Sequence, residues 1–112
     1  MKSEKSKADA VPVTVVVSYF GEVADIVRRR QKTAREEIVL RQGATAADLL
    51  DELATRHGRE LHEALFVGRD LLPNLIVQVD GSNIAHQQGL ATTLRPGAQV
   101  LILAMPPLID GG

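Results

Sequence analysis

The 112-residue chain has no cysteine and no tryptophan. Without cysteine there are no disulfides, no thiolate metal ligands and no thiol nucleophile. That usage suits a reducing compartment, and a cytoplasmic location is the expectation. Aromatics are limited to Tyr19, Phe20 and Phe66, too few for the stacking platform of a single-strand nucleic-acid site. Neither sign of charge is in excess: 13 basic and 14 acidic residues leave a formal net charge of -1. No global field therefore draws in nucleic acid or an anionic membrane. No apolar run approaches the roughly 20 residues that span a bilayer. Met1 to Ala10 is rich in Lys, Ser and Glu and has no hydrophobic signal core. Residues 1–11 are expected to be a disordered leader. The glycines are scattered and no G-x-x-x-x-G-K occurs, so a phosphate-binding loop is excluded. His57, His62 and His86 lack ligand spacing, so no metal site is expected, and no Ser/His/Asp order suggests nucleophilic catalysis.

What the chain does have is aliphatic strand. Pro12 to Phe20 is β-branched and ends at Gly21. Glu22 to Arg30 carries Val23, Ile26 and Val27 at helical spacing. Arg35 to Leu40 reads as a second strand, closed by Gln42-Gly43. Thr45-Ala46-Ala47-Asp48 is a capping-box signal. It opens a helix to about His57 with Leu49, Leu50, Leu53 and Ala54 on one face, and Gly58 is placed to cap its end. Arg59 to Phe66 predicts a further helical turn, and Val67 to Pro73 a loop. Leu75 to Asp80 predicts a third strand, Asn83 to Ala85 a short edge strand, and Gln99 to Ala104 the last strand.

One domain over residues 12–105 follows. The first and last strands are the most apolar, so both belong at the sheet centre, paired in parallel through a crossover. That arrangement is a β-grasp, an α+β fold with a mixed sheet of about five strands packed on one main helix. The last strand then delivers residues 106–112 from the middle of the sheet as a flexible tail.

The tail ends in Gly111-Gly112. With glycine at about 7% of residues, chance gives such an ending about 0.5% of the time. Glycine has no side chain, so a diglycine can thread a narrow channel. Its carboxylate is inert until ATP converts it to an acyl-adenylate, which sulfide or an amine can attack.

Leu75 to Gly81, Asn83-Ile84, Gly89 to Leu94, Arg95 to Val100 and the Pro106-Pro107…Gly111-Gly112 ending resemble the ubiquitin-like sulfur carriers. These include the small subunit of molybdopterin synthase and the thiamin-pathway sulfur carrier. The resemblance implies that an E1-like adenylyltransferase activates Gly112 with ATP and Mg, both bound by that partner and not by this chain. Sulfur transfer then yields a thiocarboxylate at Gly112, with Gly111 admitting it to the active sites. Met105, Pro106, Pro107, Leu108, Ile109 and Asp110 form the tail that partners grip. The acceptor is expected to be the molybdopterin synthase large subunit or another synthase, with the chain acting as co-substrate or small non-catalytic subunit. Thiamin thiazole synthesis is an alternative destination. A modifier conjugated to lysines and an inert β-grasp interaction domain are alternatives of other classes.

Three features outside the tail have bland readings. Arg28-Arg29-Arg30 with Lys32 and Arg35 is expected to be a solvated loop, with partner docking ahead of nucleic-acid binding. Asp48, Asp51 and Glu52 suit the first half of a helix, where the dipole favours acids, and His57 suits a helix end, where it favours positive charge. The strands at Val15, Val17 and Leu103 are nearly continuous apolar runs, so their outward set stays unassigned; if apolar, it would be a docking patch.

Overall fold

The computed structural model describes residues 11–105. Residues 1–10 of the expected leader (1–11) and the expected tail at residues 106–112 lie outside the described residues.

Strand β1 (Val13–Gly21) is followed by helix α1 (Glu22–Arg28) and strand β2 (Arg35–Leu40). Helices α2 (Ala46–His57) and α3 (Arg59–Leu65) come next. A small hairpin, β3 (Phe66–Val67) and β4 (Asp70–Leu71), precedes β5 (Leu75–Val79) and β6 (Ser82–Asn83). Two short 3-10 turns, Ile84–His86 and Gly89–Ala91, lead to β7 (Gln99–Ala104). Among the described residues, one mixed sheet runs β2-β1-β7-β5-β6, with β3-β4 apart.

β1 and β7 lie at the centre in parallel, in the register Val16↔Gln99 to Gly21↔Ala104. β2 is antiparallel to β1, and β5 is antiparallel to β7. The β-grasp architecture expected from the strand order is therefore the one found.

Alternation decides the faces. Val13, Val15, Val17 and Tyr19 of β1 are buried beside Val100, Ile102 and Ala104 of β7 and Leu75, Val77 and Val79 of β5. Leu49, Leu50 and Leu53 of α2 close over them, with Leu61 and Leu65 of α3 and Val23, Ile26 and Val27 of α1. The main helix expected from the sequence thus covers the inner face together with the two shorter helices expected at Glu22–Arg30 and Arg59–Phe66.

The capping box forms as the sequence predicts. Thr45 Oγ1 accepts from the Asp48 N–H at 3.3 Å, and Asp48 Oδ2 accepts from the Thr45 N–H at 2.9 Å. Gly58 caps the other end, its N–H donating to the Ala54 carbonyl. Two expectations need correction. The segment from Val67 to Pro73 is not a plain loop, because Phe66 pairs with Leu71 and Val67 with Asp70. Asn83 to Ala85 is strand only as far as Asn83, whose side chain then accepts from the Ala85 N–H and opens a 3-10 turn.

At the far end of β1, Gly21 has φ +80° and lies so close to β7 that an added Cβ would sit 2.2 Å from the Ala104 carbonyl oxygen. No other residue type fits there without moving one of the central strands. This crossing marks the point from which β7 leaves the sheet.

Candidate functional site

The end of β7 is the candidate site. Ala104 pairs with Gly21 on one side and Leu75 on the other, so the strand leaving the sheet is flanked by β1 and β5. Met105 is the last described residue and is 44% exposed. Its N–H donates to the Asn74 carbonyl at 2.9 Å, and its own carbonyl accepts from Asn74 Nδ2 at 2.8 Å. Of the residues expected to carry the chemistry, Met105 alone is placed. Pro106, Pro107, Leu108, Ile109, Asp110, Gly111 and Gly112 lie outside the described residues.

Around this exit no element of the described residues covers the outer sheet face. Phe20 of β1 pairs with Leu103 of β7, and Leu103 pairs with Ile76 of β5, giving one apolar row across three strands. Phe20 is 48% exposed, with Leu103 and Ile76 half-buried. A hollow of about 260 Å³ beside that row is lined by Ser18, Phe20, Gln78 and Leu101 among others. Val39 on β2 adds another exposed aliphatic. The unassigned outward set is thus settled: Val15 and Val17 face the helices, and Leu103 faces out.

The basic run sits near this end, because β2 begins opposite the end of β1 with Ser18↔Arg35. Arg28 pairs with Asp25 at 3.6 Å and Arg29 with Glu60 at 3.0 Å, all well exposed. Such pairs contribute little to stability. Arg30, Lys32 and Arg35 are exposed. Of the acidic group, Asp48 belongs to the capping box, Glu52 pairs with Arg56 at 3.5 Å, and Asp51 is exposed. Asp51 lines a second hollow of about 410 Å³ on the helix side, together with the exposed His62 and Arg69. Among the described residues, no group of three or more His, Asp or Glu side chains is placed to hold a metal ion.

His57 closes α2 as its position suggested, and its ring is buried in the core. It is 4% exposed, and its Nε2 lies 2.7 Å from Glu36 Oε2. The same oxygen accepts from the Tyr19 hydroxyl at 2.6 Å. Burial first, then the bond to Glu36 and its charge, push the Tyr19 hydroxyl far above its ordinary range. His57 Nδ1 is buried with no hydrogen-bond partner. A ring carrying its proton on Nε2 leaves only a lone pair unmatched there, less costly than a buried unpaired N–H. The trio joins β1, β2 and α2 in the core. Both donors converge on one carboxylate oxygen, so the cluster fixes the packing of α2 on the sheet.

A signal for this trio was present in the sequence. Tyr19 is in phase with Val13, Val15 and Val17, Glu36 with Ile38, and His57 with Leu50 and Leu53. Three polar residues on the buried phase of three neighbouring elements point to one another.

Among the described residues, a central last strand, an apolar outer face around its exit and helices confined to the other face define a ubiquitin-like β-grasp protein. The chain belongs to the ThiS family, whose model matches residues 17–107, and so to the ubiquitin-like sulfur-carrier and small-modifier group. No curated relative matches. The fold is similar to small archaeal modifier protein 1 of Haloferax volcanii, with TM-score 0.70 and 18% identity over 86% of this chain and 99% of that one. It is also similar to a Pyrococcus furiosus protein assigned as subunit 1 of a molybdopterin converting factor, with TM-score 0.61 and 26% identity over 86% and 99%. A third similar structure is the Amycolatopsis orientalis BexX/CysO complex, with TM-score 0.63 and 22% identity over 88% and 99%.

Proposed function

We propose that the protein is a sulfur carrier whose Gly112 carboxylate is adenylated and then thiocarboxylated. The observation that carries this reading is the position of β7. The strand that precedes the diglycine segment is central, and it ends beside an apolar face that no element of the described residues covers. The family match supports the same chemistry.

In the activation step the Gly112 carboxylate oxygen attacks the α-phosphorus of ATP, forming an acyl-adenylate and releasing pyrophosphate. ATP and Mg belong to the E1-like partner. Sulfide then attacks the acyl carbon and displaces AMP. Loss of the remaining S–H proton leaves the chain ending in a thiocarboxylate, a stronger nucleophile than the original carboxylate. This chain contributes the tail and the surface that delivers it. Phe20, Leu103 and Ile76 would bury apolar area against the partner, and the tail would be held in extended form through its backbone.

The acceptor we favour is a precursor of the molybdenum or tungsten pterin cofactor, on a synthase large subunit. Support comes from the Pyrococcus furiosus neighbour and from Pro106-Pro107 before the diglycine. Conjugation to lysines is the second reading, favoured by the likeness to small archaeal modifier protein 1. Both begin with the same adenylate. Reconstitution separates them: the thiocarboxylated chain mixed with a cognate synthase large subunit and pterin precursor yields dithiolene product under the first reading. Isopeptide bonds from Gly112 to lysines of cellular proteins, without product formation, would replace it with the second.

A further inference from the structure

Both ends of the β5–β7 ladder are finished by a side chain. The regular pairs run from Leu75↔Ala104 to Val79↔Val100. One step beyond, at the end away from the tail, the Asp80 N–H donates to the Gln99 carbonyl at 2.8 Å. The returning bond is made by a side chain, with Asp80 Oδ1 accepting from the Gln99 N–H at 2.9 Å. At the tail end the Asn74 carbonyl accepts from the Met105 N–H at 2.9 Å, and Asn74 Nδ2 donates to the Met105 carbonyl at 2.8 Å. In a continuous antiparallel pair that second bond would come from the backbone N–H of residue 74. Here the chain is still turning, with the Leu75 N–H donating to the Leu72 carbonyl, and Pro73 precedes Asn74.

The Asn74 side chain therefore lengthens the ladder by one residue on the tail side only. Its partner, the Met105 carbonyl, shares a peptide plane with the nitrogen of Pro106. Holding that carbonyl holds the plane, and so the direction of the first bond of the tail. Proline rings fix φ at about -65° at the next two positions. Proline segments keep a direction over several residues, as glycine or serine segments do not.

We propose that Asn74 is a positioning residue for the chemistry at Gly112, clamping Met105 so that the tail leaves the sheet in the direction its activating enzyme captures. The inference rests on the reading of Gly112 as the reacting end. A carboxamide is required: alanine removes the donor, and aspartate places an acceptor against the carbonyl.

The clamp acts before capture, so its loss lowers the fraction of carrier presented correctly. A lower competent fraction raises the apparent KM in proportion and leaves turnover at saturation unchanged. The test is ATP–pyrophosphate exchange by the cognate E1-like enzyme, with the full chain and its variants as substrate and melting midpoints measured in parallel. Asn74→Ala and Asn74→Asp are expected to raise KM at least about threefold with kcat unchanged. Asp80→Ala removes the matching bond at the other end of the same ladder. It is expected to lower the melting midpoint while leaving KM at the wild-type value. With both prolines replaced, in P106G/P107G, Asn74→Ala is expected to add little, because the direction is no longer transmitted. A wild-type KM in the Asn74 variants, or an equal rise in Asp80→Ala, overturns the clamp while the carrier reading stands. A wild-type chain that supports no exchange with an enzyme active on another carrier overturns the carrier reading, and the clamp with it.

Discussion

The two faces of β1 and β7 are built from the same kinds of residue and meet opposite fates. On the inner face, Val15, Val17, Val100 and Ile102 are sealed beneath three helices. On the outer face, Val16, Phe20, Leu101 and Leu103 have no element of the described chain over them. Aliphatic content therefore says that a strand is central, and topology says which side is core. All three helices of the described residues lie on one side, and none lies on the other. Stability is concentrated on the first face, and the proposed recognition of partners on the second.

Neighbouring residues on β7 provide the strongest way to break that comparison. Ile102→Ala is expected to cost about 2–5 kcal/mol, the range for truncating a buried aliphatic side chain. Leu103→Ala, one residue on, is expected to cost under about 1 kcal/mol and to weaken association with the activating enzyme. Urea unfolding and a binding titration on both variants check this. Equal losses of stability would mean that the outer face is also core.

The crossing of β1 and β7 comes next. Gly21→Ala is expected to cost about 2–4 kcal/mol, combining an unfavourable positive φ with overpacking against Ala104. Urea unfolding that showed no loss would place the central strands further apart than described.

The polar trio sharpens the picture of the inner face. Tyr19 keeps its proton far more tightly folded than unfolded. Above the usual tyrosine range near pH 10, the unfolded chain has lost a proton that the folded chain retains. Stability is then expected to be whole below about pH 10 and to fall by about 1.4 kcal/mol per pH unit above it. Tyr19→Phe is expected to remove that slope in a series of alkaline unfolding curves. Smallest is the cap of the covering helix: Thr45→Ala is expected to cost about 1 kcal/mol, measured by thermal unfolding.

Much of this architecture was legible in the residues. Thr45 and Asp48 announced α2 because a capping box needs only local spacing, and Gln99 to Ala104 announced β7 because Val100 to Ala104 is an unbroken apolar run of strand length bounded by the turn at Gly97. The Phe66–Leu71 hairpin was not legible, since two-residue strands carry no periodicity to detect. Leu103 and Val17 were apolar alike, and only packing distinguishes outward from inward. His57 sits at a helix end, where solvent is the usual environment, and its burial followed from phase with Leu50 and Leu53. For the candidate site, the diglycine and the resemblance were readable, and the Asn74 grip on Met105 was not. That contact joins residues 31 apart through a side-chain amide, and no local pattern encodes it.

The most direct measurement is the intact mass of the chain after incubation with its E1-like enzyme, ATP and a sulfur source, compared with a chain lacking Gly111-Gly112. A sulfur carrier gains the mass of one oxygen replaced by sulfur in the full chain alone, with the shortened chain folded to the same melting midpoint. An unchanged mass in the full chain, under conditions where the enzyme activates another carrier, would contradict that function.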